Sequence, residues 1–339
     1  MMSVAEQAKR VTKRVLIESG VSRALGRLTP PCAVLLTYHS VQPEPDPLAR
    51  LIGPGISHSE RDFDQQMQTI ARHFAPVTLE QVQHFLEGKR ELPRRAVAVT
   101  FDDGFRDNYE LAAPILARHG IPAAFYMTVG CLGIGRAPWF CRLRYAFVVA
   151  PPRLWTDPWE GRGWDLGQAE ARAQARLAAL ERCATLVGEA QSRLVAAIEH
   201  GLEITPAPEF DHLMLDWEQV AALHRAGHVV GSHTMTHPNL AHVTLDDARE
   251  ELRQSKQILE QRLGTTIKHF SYPYPILSPN WNAQTRALTA ELGYETAVIC
   301  DAQAARAGQD PLAIPRVSAP MEQEDFRWAL EANFFGHRV

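Results

Sequence analysis

Two short segments, far apart in the chain, hold the side chains best suited to chemistry. Thr100-Phe101-Asp102-Asp103-Gly104 follows the apolar run Ala96-Val97-Ala98-Val99, so a buried strand delivers two adjacent acids to a turn. Carboxylates are seldom desolvated unless they are paired or bind a metal. Val229-Val230-Gly231-Ser232-His233-Thr234-Met235-Thr236-His237-Pro238 repeats the arrangement with two imidazoles. One Asp with two His makes a three-ligand set for a divalent metal, and the second Asp is left over to act as a base. Nitrogen ligands favour zinc, with iron, cobalt and nickel also compatible. A second His-x-x-x-His pair, His224 and His228, serves as a control: Gly227 separates a helix end from a strand start, so those two should diverge. Pro238 stops a helix from running through His233 and His237, which therefore share one strand-end loop.

These segments need a scaffold, and the chain reads as strands alternating with helices. Ala33–Thr37 is a buried strand ending in Tyr38-His39-Ser40, followed by a loop rich in proline (Pro43, Pro45, Pro47, Pro54). Ser59 caps a helix with Phe63, Met67 and Ile70 on one face, and Thr78 caps another over 79–86. The acid-bearing strand comes next, then a helix over 108–118 stopped by Gly120, and a strand over 123–128. Later come a helix over 216–225, the strand bearing the two His, a helix from Thr244 to Arg262, and a strand over 267–272. A helix over 281–292 and strands over 296–299 and 312–317 complete the series. The count is about seven strands. A distorted α/β barrel of parallel strands fits better than an open sheet, because no GxGxxG-type phosphate loop is present. The C-terminal strand ends of such a barrel hold Asp102, Asp103, His233, His237, Tyr272, Tyr274 and Arg316.

Residues 131–215 break the rhythm. They concentrate Trp139, Trp155, Trp159 and Trp164 and contain an Ala/Arg/Leu-rich helix over 166–199. The expected organisation is an N-terminal helix (1–30), a first barrel part (31–130), a mostly helical insertion (131–215) and a second barrel part (216–339). The tryptophans are expected to form the insertion's own small core rather than a sugar-stacking platform.

A net charge of -4 gives no sign of a nucleic-acid partner. Five cysteines, an odd number without a CxxC pair, argue against a disulfide framework and fit a reducing compartment. Cys131 and Cys300 lie near strand ends, where buried, inert thiols are the usual case. The N-terminus lacks the apolar core of a secretory signal, so a cytoplasmic location is expected. Ala5 to Leu28 reads as a basic amphipathic helix, either packed on the domain or docked peripherally on an anionic membrane surface.

In order and context the motifs resemble the polysaccharide deacetylases, the metal-dependent carbohydrate esterases of family four typified by chitooligosaccharide deacetylase. The resemblance covers about residues 33–130 and 213–318. Thr100–Gly104 resembles the family's first motif, which implies that Asp102 is the base and Asp103 a metal ligand. Ser232–His237 resembles the second, which implies His233 and His237 as the other ligands. Ser271-Tyr272-Pro273-Tyr274 occupies the third, usually Arg-x-Pro-Tyr, and Leu312-Ala313-Ile314-Pro315-Arg316 the last, usually Leu-x-Ile-x-His. Thr37-Tyr38-His39-Ser40-Val41 and Leu92-Pro93-Arg94-Arg95 resemble bacterial members associated with exopolysaccharide biosynthesis. The resemblance implies a hydrolase that uses a divalent metal to remove N-acetyl groups from an acetylated glycan, with the Tyr274 backbone N–H as oxyanion donor. Pro273 and Pro275 would stiffen that loop.

Two positions depart from the pattern. Ser271 stands where the family has the arginine that orients the base. Arg316 stands where it has the histidine that acts as general acid, and an arginine is a poor proton donor. The expectation is that the guanidinium has moved, so that Arg316 holds Asp102 or offsets charge in the transition state. The plainer alternative is a structural ion pair. His39 is then the best-placed general acid, ahead of His242 and His269. Tyr272, Tyr274, Trp281 and Phe105 are expected to line an acetyl or sugar pocket, with core packing as the alternative for Phe105. Asp102 and Asp103 should point to opposite faces of their strand, so a shared site requires a turn at Gly104. The alternative functions are an O-acetyl esterase or cyclic-amide hydrolase on the same metal site, and a degenerate member that binds glycan without turnover.

Overall fold

The structure, a computed structural model, describes residue 13, residues 15–21 and residues 29–336 apart from 54, 134, 136 and 275. Seven parallel strands close on themselves: β1 (Cys32–Tyr38), β2 (Ala96–Phe101), β3 (Ala123–Met127), β4 (Val229–Ser232), β5 (His269–Ser271), β6 (Thr296–Cys300) and β7 (Ile314–Ser318). Each pairs with the next, and β7 returns to β1, so the expected barrel is the barrel observed.

Alternation along each strand sorts the side chains. Ala33, Leu35, Ala96, Ala98, Ala124, Tyr126, Val298 and Ile314 form one cluster within the barrel. Val34, Leu36, Val97, Val99, Phe125, Phe270 and Val317 face the other way, into the layer of helices. Small residues dominate the interior because seven strands leave a narrow lumen. Gly231 is part of that economy: a Cβ there would lie 2.5 Å from the Tyr126 ring and 2.8 Å from the His269 carbonyl oxygen.

The helices are α1 (Glu60–His73), α2 (Leu79–Leu86), α3 (Ala113–His119), α4 (Trp139–Val149), α5 (Ala169–Ala184), α6 (Gly188–Gly201), α7 (Trp217–Arg225), α8 (Leu245–Leu263), α9 (Ala283–Glu291) and α10 (Gln323–Phe334). Side chains at their N-termini satisfy the free N–H groups, Ser59 for α1 and Thr244 for α8, with capping boxes at Thr78 and Asp216.

Three local expectations change. The helix expected over 108–118 begins as a π-helical turn, Asn108–Ala112, before α3, and the Asn108 side chain is engaged with the His39 carbonyl and the Asp107 carboxylate. The single helix expected over 166–199 is two, α5 and α6, and Gln191 donates to the Cys183 and Leu186 carbonyls at the break. Between α4 and α5 lies a hairpin, Leu154–Thr156 with Gly163–Asp165, that sets Trp155 opposite Trp164. Trp139, Trp155 and Trp164 are buried in one cluster with α4, α5 and α6, the self-contained core expected of the insertion.

Most of the basic helix expected over 5–28 lies outside the described residues. Within the described part Ile17 is buried, and Lys13 pairs with Asp325 of α10 at 2.9 Å and lies over Trp328. The Lys13 charge is thus taken up by the protein itself, and the alternative of a peripheral membrane contact gains no support here. Among the described residues no helix is long and apolar enough to cross a membrane.

Candidate active site

Asp102 continues the inward-facing series Ala96, Ala98, Thr100, so alternation alone aims its carboxylate at the barrel axis. Asp103 would face outward. It does not, because the chain reverses at Asp103 itself, with φ 74°, and continues through Gly104 at φ 84°. The turn expected at Gly104 therefore starts one residue earlier, in a conformation that non-glycine residues seldom adopt. Thr234 (φ 69°) and His237 (φ 57°) are held the same way in the loop after β4. Three strained residues in two facing loops mark a site whose geometry the surroundings impose.

Those surroundings are specific. Glu251 of α8 accepts from the Met235 and Thr236 N–H groups, both at 2.8 Å, and from the Thr236 hydroxyl at 2.7 Å. The Thr234 hydroxyl accepts from the His237 N–H at 2.9 Å. Trp139 of the insertion donates to the Thr236 and His237 carbonyls. Gly130 donates to the Met235 carbonyl at 2.9 Å, and a Cβ at Gly130 would lie 2.5 Å from that oxygen. On the other side, Asp107 accepts from Ser40 Oγ, the Val41 N–H, Gln42 Nε2 and Asn108 Nδ2, and Asn108 donates to the His39 carbonyl. The Thr37–Val41 and Thr100–Gly104 segments are thereby tied together. Burial pushes the Asp107 carboxyl up to about 7. Neither Glu251 nor Asp107 was singled out from sequence. Their roles are contacts between distant segments, and no local pattern announces them.

The His233 and His237 Nε2 atoms lie 3.6 and 3.4 Å from Asp103 Oδ1, and one donor atom from each of the three residues falls within 4.8 Å of the others. His233 Nδ1 meets the Ser271 carbonyl at 2.7 Å, which fixes the proton on Nδ1 and leaves Nε2 as a lone pair. Asp103 Oδ1 is buried with no hydrogen-bond partner. Burial, reinforced by the Asp102 charge, pushes the Asp103 carboxyl well above its usual range, while burial pushes both imidazoles down and keeps them neutral. An orphaned carboxylate oxygen facing two neutral imidazole lone pairs fits a divalent cation. His224 and His228 diverge: His228 Nδ1 accepts from the Ala123 N–H.

Beside this triad Arg316 of β7, 1% exposed, donates to Asp102 twice, at 2.8 and 2.6 Å, and to Thr100 Oγ1 and Ser271 Oγ at 3.0 and 2.9 Å. Ser271 Oγ in turn donates to Asp102 at 3.3 Å. Burial opposes ionisation of Asp102, but the Arg316 guanidinium beside it prevails and holds the carboxyl well below the usual range.

The acids and imidazoles open into a cavity of about 330 Å³ that His39, Tyr274 and Cys300 also line. Burial pushes His39 down to about 4 and raises the Cys300 thiol, which keeps Cys300 in its unreactive form. A second cavity of about 270 Å³ shares Tyr274 and Cys300 and adds Tyr272, Asn280, Trp281 and Asp301. Tyr272 and Trp281 stack obliquely there, 5.8 Å apart. Phe105 lines neither: it is fully buried in a cluster with Leu51, Cys141 and Met214, because the turn after Gly104 sends it inward. Four lining residues come from the insertion, Phe140 and Arg144 of α4 with Arg176 and Leu180 of α5, and none was foreseen.

The family profile described as "Polysaccharide deacetylase" matches residues 89–139 and 186–297, a span that contains Asp102, Asp103, His233 and His237 and leaves a gap across the insertion. These residues form a polysaccharide deacetylase domain. The poly-beta-1,6-N-acetyl-D-glucosamine N-deacetylase of Staphylococcus epidermidis is 30% identical over 110 residues, 30% of this chain and 37% of that protein. The chain's matches span less than half the length of each curated relative. Among solved structures, the deacetylase PplD of Streptococcus pyogenes, in complex with acetate, superposes with a TM-score of 0.59 at 19% identity, covering 88% of this chain and 97% of that one. IcaB from Ammonifex degensii gives 0.56 at 20% identity, covering 89% and 98%. At these identities the superpositions speak for the fold.

Proposed function

We propose that this protein is a metal-dependent hydrolase that removes N-acetyl groups from an acetylated sugar or polysaccharide, in exopolysaccharide biosynthesis and in a reducing compartment. The observation that carries this reading is the pairing, at one cavity, of the Asp103–His233–His237 triad with an Asp102 held ionised by Arg316. The name of the Staphylococcus relative supports the substrate class. The five unpaired cysteines support the compartment.

Asp103, His233 and His237 would hold the cation, and the nitrogen donors favour zinc. Asp102 takes the proton from water. A carboxylate held so far down is a weak base, so the water must be made acidic. The divalent cation, when bound, supplies that by lowering the pKa of water toward ~7 and by polarising the acetyl carbonyl. The Tyr274 main-chain N–H donates to the oxyanion. Arg316 keeps Asp102 oriented and ionised from the strand where the family places a histidine. The departures at Ser271 and Arg316 thus leave a guanidinium on the base, which favours a working enzyme over a degenerate glycan binder. His39 lines the cavity without being a ligand of the cation. Its imidazole is neutral at rest; it takes up the proton that Asp102 removed from water and passes it to the leaving nitrogen, so that amine and acetate depart and Asp102 is again a carboxylate. Trp281 binds a neighbouring sugar in the adjoining cavity; Tyr272, expected to bind it too, is buried in the core and backs the Trp281 ring instead.

The test is acetate release from N-acetylated and O-acetylated oligosaccharides, measured beside metal content. Bound metal with acetate from the N-acetylated series supports the proposal. Release from the O-acetylated series alone makes it an esterase, and bound metal with glycan binding but no acetate makes it a binding protein.

A further inference from the structure

The insertion does more than cover the barrel, because it brings two cations to the mouth of the cavity. Phe140 and Arg144 are one turn apart on α4, and Arg176 and Leu180 one turn apart on α5, so each helix turns one face to the cavity. The Phe140 ring packs against the His237 ring with centroids 4.9 Å apart. One helical turn, about 5.4 Å, separates that contact from Arg144, a distance on the scale of one sugar unit.

Arg144 is held in place. Its Nε donates to the Ala49 carbonyl at 3.2 Å, and its guanidinium lies flat against Gly53. A Cβ at Gly53, whose φ is 98°, would meet the guanidinium carbon at 2.8 Å. Arg176 stands close enough for its charge to lower the Arg144 pKa, in addition to the effect of burial. Among the described residues neither guanidinium forms an ion pair with a carboxylate, whereas most other half-buried arginines of the insertion do: Arg142 pairs with Glu199 and Arg153 with Glu203. Two neighbouring cations with free donor edges, one of them fixed over a glycine, make a receptor for a carboxylate or phosphate. The adjoining cavity has a different character, with Trp281, Asn280 and Asp301 and no cation among its lining residues.

We propose that Arg144 and Arg176 form an anion subsite, and that the substrate is an acetamido sugar bearing a carboxylate or phosphate group about one sugar unit from the acetyl group. This rests on the deacetylase reading above and narrows its substrate class. The subsite also orients the chain, since the anion can sit at only one end of the cleft.

The test uses the full chain carrying Asp102→Asn, loaded with zinc, so that binding is read without turnover. Three probes share N-acetylglucosamine: neutral chitotetraose, a hyaluronan tetrasaccharide that adds carboxylates, and UDP-N-acetylglucosamine that adds a diphosphate. An anionic probe is expected to bind about tenfold or more tightly than the neutral one, with the preference shrinking at high salt. Preference for hyaluronan alone assigns a carboxylate, and preference for the nucleotide sugar alone a phosphate. Arg144→Gln with Arg176→Gln is expected to abolish the preference, and Arg176→Glu to reverse it. Both arginines are partly exposed, and thermal melts verify that the variants fold. Equal or tighter binding of the neutral probe, or a preference that survives the double substitution, overturns the subsite. Parallel assays of the unsubstituted protein separate the two readings. No acetate from any probe with the binding preference intact refutes the deacetylase and leaves the subsite. Acetate release with no preference refutes the subsite alone.

Discussion

Replacing Arg316 with methionine removes a guanidinium while keeping most of the side chain's length. The native Arg316 donates to Asp102 at 2.8 and 2.6 Å from a position sealed off from solvent. Two influences compete on Asp102: burial, the larger single one, pushes its pKa up, and Arg316 leads the opposing group that pulls it down. In the native protein the folded value lies below the unfolded value of roughly 3.9. Asp102 then contributes stability that is present above that pH and is lost as pH falls toward the folded value. Without Arg316, burial is unopposed by its main rival, and the folded value moves above the unfolded one. The sign inverts: stability of Arg316→Met is greatest in acid and declines as pH rises from about 4 toward neutrality. A buried carboxylate stripped of its partner costs about 3–5 kcal/mol. Urea denaturation at pH 5 and pH 8 reads this directly. The single variant should lose about 3–5 kcal/mol at pH 8 and less at pH 5. Adding Asp102→Asn should recover much of the deficit, because the charge left behind is gone. Acetate release at neutral pH should fall by at least ~100-fold, since the base now carries a proton. If Arg316→Met matches the native protein in stability at pH 8 and in its pH–rate profile, Asp102 does not depend on this arginine and the account of the relocated guanidinium is wrong.

Asp103→Asn or His237→Gln should cut zinc affinity by at least ~100-fold, read by equilibrium dialysis with metal analysis, on the scale of losses seen when ligand support is removed. Undiminished zinc binding would eliminate the triad. Prolonged dialysis against a chelator should abolish acetate release and zinc should restore it; activity that survives with no metal detected rules out metal dependence. His39→Gln should lower kcat by about 10²–10⁴ with little change in KM, whereas a loss confined to KM would make His39 a binding residue. Gly231→Ala should destabilise the barrel by about 1–3 kcal/mol through overpacking against Tyr126, and a neutral effect in chemical denaturation would mean that the lumen has room to spare. Trp281→Ala should raise KM for oligosaccharides about three- to tenfold while sparing the monosaccharide, given that an aromatic face contributes about 0.5–1.5 kcal/mol.

Much of the scaffold was legible because it rests on local periodicity. Buried strands such as Ala96–Phe101, caps such as Ser59 and Thr78, and stops such as Gly120 are readable from neighbours in sequence. The reading faltered where a distant contact overrules local preference. Asn108 gives up an ordinary helix start to hold the His39 carbonyl, and the long helix of the insertion breaks where Gln191 takes up loose carbonyls. Position beside the acid motif left Phe105 open between pocket lining and core packing, and the reversal at Asp103 and Gly104 turns it into the core.

The sequence by itself determined the chemical inventory: two adjacent acids at a strand end, two imidazoles in one loop, and an arginine and a serine exchanged for the family's histidine and arginine. Adjacent residues carry those facts, so they need no fold to be seen. Only the tertiary structure decided that the guanidinium of β7 reaches the carboxylate of β2, that Glu251 and Trp139 brace the imidazole loop, and that Arg144 and Arg176 face the cavity. The physical reason is closure of the barrel. It brings strand ends distant in sequence within hydrogen-bonding range and strips them of water, and in that dry setting the protonation state of each group is set by whichever partner it meets.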